Sequence, residues 1–253
     1  MPRLLMAAVV SISVVGLSSM AQAQVGSDGS LYFDTFDGSG PTGGQGVTAG
    51  GDWDLAGRGV IGGDLVFVTT GQTSEMEYRG ELANPPSASD EWVGELHWTI
   101  DFLQGENATI FQGYDLSGDG WAGARVEAKP ATSGNNAWQF HINNGDIIGP
   151  EFAYGSSVKV VGHNKGHGTI DLYGNDQLVT TIDIVAATSN GAPYSDDGTL
   201  QWFGAIGNNS SWGNGGDMKL HSISVGNAVV VPEPASLALL GLGGLAMMLR
   251  RRR

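Results

Sequence analysis

Apolar and polar residues alternate with a period of two along much of the chain. In Trp92–Phe102, the residues Trp92, Leu96, Trp98, Ile100 and Phe102 share one face, and Glu95, His97, Thr99 and Asp101 share the other. That pattern predicts a strand with one face buried. The same reading sets Met76 and Tyr78 against Glu75, Glu77 and Arg79, and Ala124, Val126 and Ala128 against Arg125, Glu127 and Lys129. It sets Trp138, Phe140 and Ile142 against Gln139, His141 and Asn143, and Ile170 and Leu172 against Thr169 and Asp171. Leu178, Ile182 and Ile184 likewise oppose Val179, Thr181 and Asp183. Asn164-Lys165-Gly166 and Gly174-Asn175-Asp176 have the composition of hairpin turns. The last strand, Met218–Val225, begins with Met218 and Leu220 on one face and ends with Ile223 and Val225 on the other, which predicts a bulge.

No segment of residues 24–230 carries a convincing helical period, and the 41 glycines fall throughout the chain. Each glycine weakens a helix interior by ~1 kcal/mol. About ten to twelve strands in a body of this size predict an all-β sandwich of two antiparallel sheets packed face to face. Gly-rich residues 37–63 read as a long surface loop.

The two ends are organised differently. An apolar run, Leu4–Leu17, follows Arg3 and precedes Ala21-Gln22-Ala23. These are the three parts of a secretory signal peptide over residues 1–23, with signal peptidase cutting between Ala23 and Gln24. At the other end, Val231-Pro232-Glu233-Pro234 leads through Ala235 into an apolar stretch ending at Leu249, followed by Arg250–Arg253. The prolines bar helix before Ala235. The stretch beyond them is shorter than the ~20 residues a full membrane span prefers, and the arginines remain cytoplasmic.

The arrangement over residues 231–253, with its Pro-Glu-Pro triplet, short Gly-rich apolar helix and terminal arginines, resembles the PEP-CTERM sorting tail of bacterial envelope proteins. The resemblance implies an exosortase-type membrane peptidase as partner, removal of the tail, and delivery to the envelope or exopolysaccharide matrix. A plain C-terminal anchor is the alternative. In the body, residues 24–230, the order of elements is similar to the concanavalin/laminin-G jelly-roll group. The stretches that carry this likeness are Val158–Val179 and Gly216–Gly226.

Charge narrows the partners. The chain has 12 Lys and Arg against 26 Asp and Glu, a net charge of −14, which excludes a nucleic-acid ligand. Without the two ends, 25 acidic residues face seven basic ones, a balance near −18. Such a body is repelled by anionic membranes, so the tail is its one expected membrane contact. The absence of cysteine removes disulfides, thiol catalysis and Cys-ligated metals.

Four constellations are candidates for chemistry. Asp115-Leu116-Ser117-Gly118-Asp119-Gly120-Trp121 places oxygen ligands Asp115, Ser117 and Asp119 at alternate positions, with glycine after the third, and resembles the first half of an EF-hand or dockerin calcium loop. Its twelfth position is Val126 rather than Glu, and the same residues also suit a polar hairpin. Glu75 and Glu77, two apart, project from one strand face as the paired carboxylates of retaining jelly-roll glycosidases do, although Arg79 occupies the next alternate position. Arg79-Gly80-Glu81-Leu82 is similar to an alginate-lyase strand, without evident companion motifs. His163 and His167 flank a turn and make half a zinc site at most. Trp53, Trp121 and Trp212 lie in Gly-, Asn- and Asp-rich loops, where an indole either stacks on a sugar ring or folds back over the sandwich edge.

The expectation is an exported, non-enzymatic envelope or matrix protein, with polysaccharide as its candidate ligand or, in a third reading, a purely structural role without one. The competing expectation is a jelly-roll glycoside hydrolase or polysaccharide lyase.

Overall fold

The computed structural model describes residues 24–49, 59–61, 63–67, 76–87, 90–103, 108–114, 125–142, 147–166, 168–183, 188–189, 192–193, 200, 202–209 and 214–231. Among them are nineteen strands, all paired antiparallel, and no helix. Both predicted tail helices, and the calcium-like loop, lie outside the described residues.

The front sheet runs β3 (Gly44–Ala49), β6 (Met76–Leu82), β17 (Trp202–Asn209), β8 (Ala108–Tyr114), β9 (Val126–Pro130), β10 (Ala137–Ile142) and β11 (Ile147–Ala153). The back sheet runs β14 (Gln177–Asp183), β13 (Thr169–Gly174), β12 (Ser157–Lys165), β7 (Glu91–Leu103) and β18 (Asn214–Gly226). Two short strands share the far edge of β18: β2 (Tyr32–Asp34) and β5 (Asp64–Phe67), the latter extended by β4 (Gly59–Ile61). The end of β17 pairs with the start of β18, so the two sheets are one ladder folded over on itself. Two ribbons stand apart: β1 (Gln24–Ser27) with β19 (Ala228–Val231), and β15 (Thr188–Ser189) with β16 (Ala192–Pro193). Strands β3 and β4 fall within residues 37–63, so that segment is not the loop its glycines suggested. These short edge strands account for a number above ten to twelve.

The predicted apolar faces meet between the sheets. Trp92, Leu96, Trp98 and Ile100 of β7 are fully buried, together with Trp138 and Phe140 of β10 and Ile170 and Leu172 of β13. The closest interlock involves Gly94 and Gly162, which sit opposite each other on β7 and β12. A Cβ on Gly94 would lie 2.3 Å from the Phe203 ring, and one on Gly162 would lie 2.0 Å from the Phe111 ring. The paired glycines therefore form a dent in the back sheet that receives two phenylalanines of the front sheet, themselves packed edge to face at 4.9 Å.

Two faces require correction. Phe102 is 49 % exposed and Leu103 takes the inner position, because the register of β7 against β18 shifts between Ile100 and Phe102. Leu178 is exposed while Val179 packs on the core, because β13 and β14 shift register between Leu172 and Tyr173. A bulge inverts every alternate side chain beyond it. The predicted bulge in β18 falls between Leu220 and Ser222, and it brings Met218, Leu220, Ile223 and Val225 all into the core. The turn after β13 has both Asn175 and Asp176 at positive φ, the conformation of a tight hairpin of the I′ kind.

Candidate functional site

The outward face of the front sheet carries charged residues from several strands. Its register places Thr109 of β8, Glu127 of β9 and His141 of β10 side by side in one row. Period two turns these residues away from the core, since Val126, Ala128 and Phe140 beside them point into it. The alternation correctly gave them the polar face. It did not anticipate that they are buried there: Glu127 is 1 % exposed and His141 3 %.

A buried carboxylate must be paired, because desolvation costs several kcal/mol per uncompensated ion. Glu127 is paired twice. Its Oε2 lies 2.7 Å from His141 Nδ1, and its Oε1 lies 2.6 Å from Arg125 Nη2. Arg125 in turn donates from Nε to Thr109 Oγ1 at 3.0 Å. A carboxylate only accepts, so Nδ1 of His141 carries the proton that it donates to Glu127. Three strands thus hold a guanidinium and an oriented imidazole around one carboxylate.

The face continues across the sheet. Arg79 of β6 lies opposite Gly204 of β17, where the β6 backbone comes so close that a Cβ on Gly204 would lie 2.0 Å from the Tyr78 carbonyl oxygen. Glu81 of β6 binds Gln45 of β3, and both line an open pocket of ≈ 640 Å³ with Gly43, Gly44, Leu82 and Ala83. Arg79, Arg125 and Lys129 are three of the seven basic residues of the body, and all belong to strands of this sheet or, for Arg125, to its immediate approach.

Most of the residues singled out in the sequence lie outside the described residues. Glu77 lies on β6, but its side chain, like all of Glu75, is outside the described residues. So are Asp115, Ser117, Asp119, Trp53, Trp121, Trp212, Ala21, Ala23, Pro232, Glu233 and Pro234. His163 bonds Glu91 across the ladder at 2.7 Å, and His167 lies outside the described residues. Among the described residues no group of three or more His, Asp or Glu is arranged to hold a metal ion. Arg125, Glu127 and His141 were missed as a site because they come from two strands. The available signal was a histidine and a glutamate, each in the polar phase of its strand, on neighbours in the chain.

A search of curated proteins finds no match. Among solved structures the fold is similar to Trypanosoma rangeli sialidase at 10 % identity and a TM-score of 0.48, covering 78 % of this chain. The chain spans only 31 % of that sialidase's length. It is similar also to an alginate lyase from Alteromonas sp. 272, with 12 % identity, a TM-score of 0.44, and coverage of 72 % of this chain and 92 % of that one. A polysaccharide lyase family 7 alginate lyase gives 18 % identity and a TM-score of 0.37, over 62 % of this chain and 68 % of the other. Residues 230–253 match the PEP-CTERM protein-sorting motif, which implies an exported, sorted chain processed by a membrane peptidase of the exosortase kind.

Proposed function

We propose that the chain is an exported polysaccharide-binding protein of the cell envelope or extracellular matrix, with the outward face of the front sheet as its ligand surface. The observation that carries this reading is the Arg125–Glu127–His141 cluster, buried on the side of the sheet away from the core. A sandwich needs no ions there for stability, since apolar residues of similar volume serve as well or better than a buried ion pair. Arg125, whose side chain is 26 % exposed, is the member of the cluster that reaches solvent, and a guanidinium held in place suits hydroxyl and carboxylate groups of a sugar chain. Signal peptidase and then an exosortase-type peptidase deliver the body, and it acts there by binding without turnover.

A glycan-cleaving enzyme is the second reading, and one feature favours it. Glu127 fixes the His141 tautomer, as the orienting partner of a general base does. One experiment separates the two. The mature body is passed over immobilised neutral and uronate-rich polysaccharides, and the polymers are then assayed for new chain ends. Retention that is lost in His141→Ala, with no new ends, is the expected result. New ends abolished by the same substitution would establish cleavage, and no retention on any polymer would overturn the binding reading.

A further inference from the structure

The final strand and the sorting motif overlap. The motif match begins at residue 230, whereas β19 runs to Val231 and pairs Val230 with Val25 and Val231 with Gln24. Two residues of the motif are therefore part of the folded body, and their ladder partner is its first strand.

That partner is firmly seated. Val25 packs with Val93, Val161 and Tyr173 on the outer side of the back sheet, and Ala228 of β19 joins the same cluster. The Ser27 amide donates to Glu95 Oε2 at 3.0 Å. Beyond Ser27 the ribbon is closed by the Asp28 carboxylate, which accepts the Asn227 amide at 2.8 Å, Asn227 Nδ2 at 3.0 Å and the Ser30 amide at 2.9 Å. This corner closes only over a glycine: a Cβ on Gly226 would lie 2.0 Å from Asp28 Oδ1.

A peptidase that takes up its substrate as an extended strand needs the same backbone groups a ladder uses. We propose that the β1–β19 ladder sets both the boundary and the rate of tail removal. The bond cut lies C-terminal to Val231, and the peptidase engages Val230 and Val231 only when their pairs with Val25 and Gln24 open. The reaction is hydrolysis of one amide bond, in which water's hydroxyl goes to the new carboxyl end of the body and its proton to the new amine of the tail. This proposal rests on the sorting reading of residues 230–253.

The test uses the full chain in cells that carry the sorting peptidase, with tail loss followed by pulse–chase and intact mass. The chain has no cysteine, so Val25→Cys with Val230→Cys creates a lone cross-strand disulfide that a reductant opens. The locked protein is expected to lose its tail several-fold more slowly than wild type and to recover on reduction. Because locked and reduced forms are one polypeptide, misfolding does not explain a difference between them. Val25→Asp is expected to hasten removal, and the wild-type mature C-terminus to be Val231 or a later residue. Equal rates in locked, reduced and wild-type protein, or a mature end before Val231, overturn the proposal while leaving the sorting reading intact. A tail retained in wild type overturns both.

Discussion

Single side chains that join the two sheets make the sharpest predictions. Asp34 of β2 is buried and accepts Tyr78 Oη of β6 at 2.6 Å, and Tyr78 in turn shares a 2.5 Å hydrogen bond with Tyr32. Burial, more than the neighbouring carboxylate, pushes both phenols above the usual tyrosine range, so they remain donors at any ordinary pH. The second Asp34 oxygen accepts the Phe36 amide and supports Phe36 at a φ of 56°, where its ring stacks edge to face on Tyr78 at 5.0 Å. Removing one hydroxyl from this set leaves a buried acceptor short of a donor, which costs about 1–3 kcal/mol. Tyr78→Phe should show that loss in urea unfolding. Gly162→Val should lose a comparable amount or more, since it fills the dent that receives Phe111 and overpacking costs about 1–3 kcal/mol. Neither effect was legible from the sequence. Tyr78 was correctly read as an inward residue, but Asp34 is far from it in the chain, and Gly94 and Gly162 matter through phenylalanines of the opposite sheet.

Strands were legible wherever alternation ran unbroken. Trp92–Ile100 and Trp138–Phe140 are in the predicted phase, and so is the bulge in β18, because the apolar residues themselves change face there. Alternation failed at Phe102 and Leu178, where a register shift against a neighbouring strand moves the phase and the chain's own pattern contains no sign of it. The β1–β19 ribbon was invisible because its strands lie at opposite ends of the body. Its fastening groups predict an acid response. Burial, the largest single influence, raises the Asp28 carboxyl, but hydrogen bonds from Ser30 and Asn227 outweigh it and hold the group down to about 2. Glu95 is also held below its usual range: burial opposes this, and His97, the Ser27 amide and Lys159 together prevail. For a depressed carboxyl the stabilisation is present above the unfolded pKa, 3.8 for Asp28 and 4.5 for Glu95, and is lost as pH falls through the folded value. Amide exchange of Val25 and Ser27 should therefore accelerate as pH falls from about 4.5 towards 2, relative to core amides corrected for intrinsic rates. In Asp28→Asn that response should be smaller.

Across the whole body, acidic residues outnumber basic ones, and many of the cations are already committed. Lys159 pairs with Asp176, Lys165 with Asp171, Lys219 with Asp101 and Arg125 with Glu127. All four described histidines meet a carboxylate: His97 with Glu95, His141 with Glu127, His163 with Glu91 and His221 with Asp64. The remaining surface charge is self-repelling, and salt screens it over about 10 Å at 0.1 M. The melting temperature should accordingly rise as sodium chloride is increased from about 0.01 to 0.15 M. A fall over that range would mean that the pairs contribute more than the repulsion. The sorting tail was legible because it is a contiguous run of residues; the Arg125–Glu127–His141 cluster was not, because it forms only when separate strands are brought side by side.

The pairing of Gln24 with Val231 makes the body a closed ring in all but one peptide bond. Opposed residues in an antiparallel ladder lie about 5 Å apart, a gap that a short turn spans. A circularly permuted body, with Val231 joined to Gln24 by such a turn and new ends opened between Asn175 and Asp176, should fold to the same sandwich. Nothing in the packing then distinguishes a first strand from a last one. Where the chain starts and stops matters to the sorting peptidase, and the folded domain is indifferent to it.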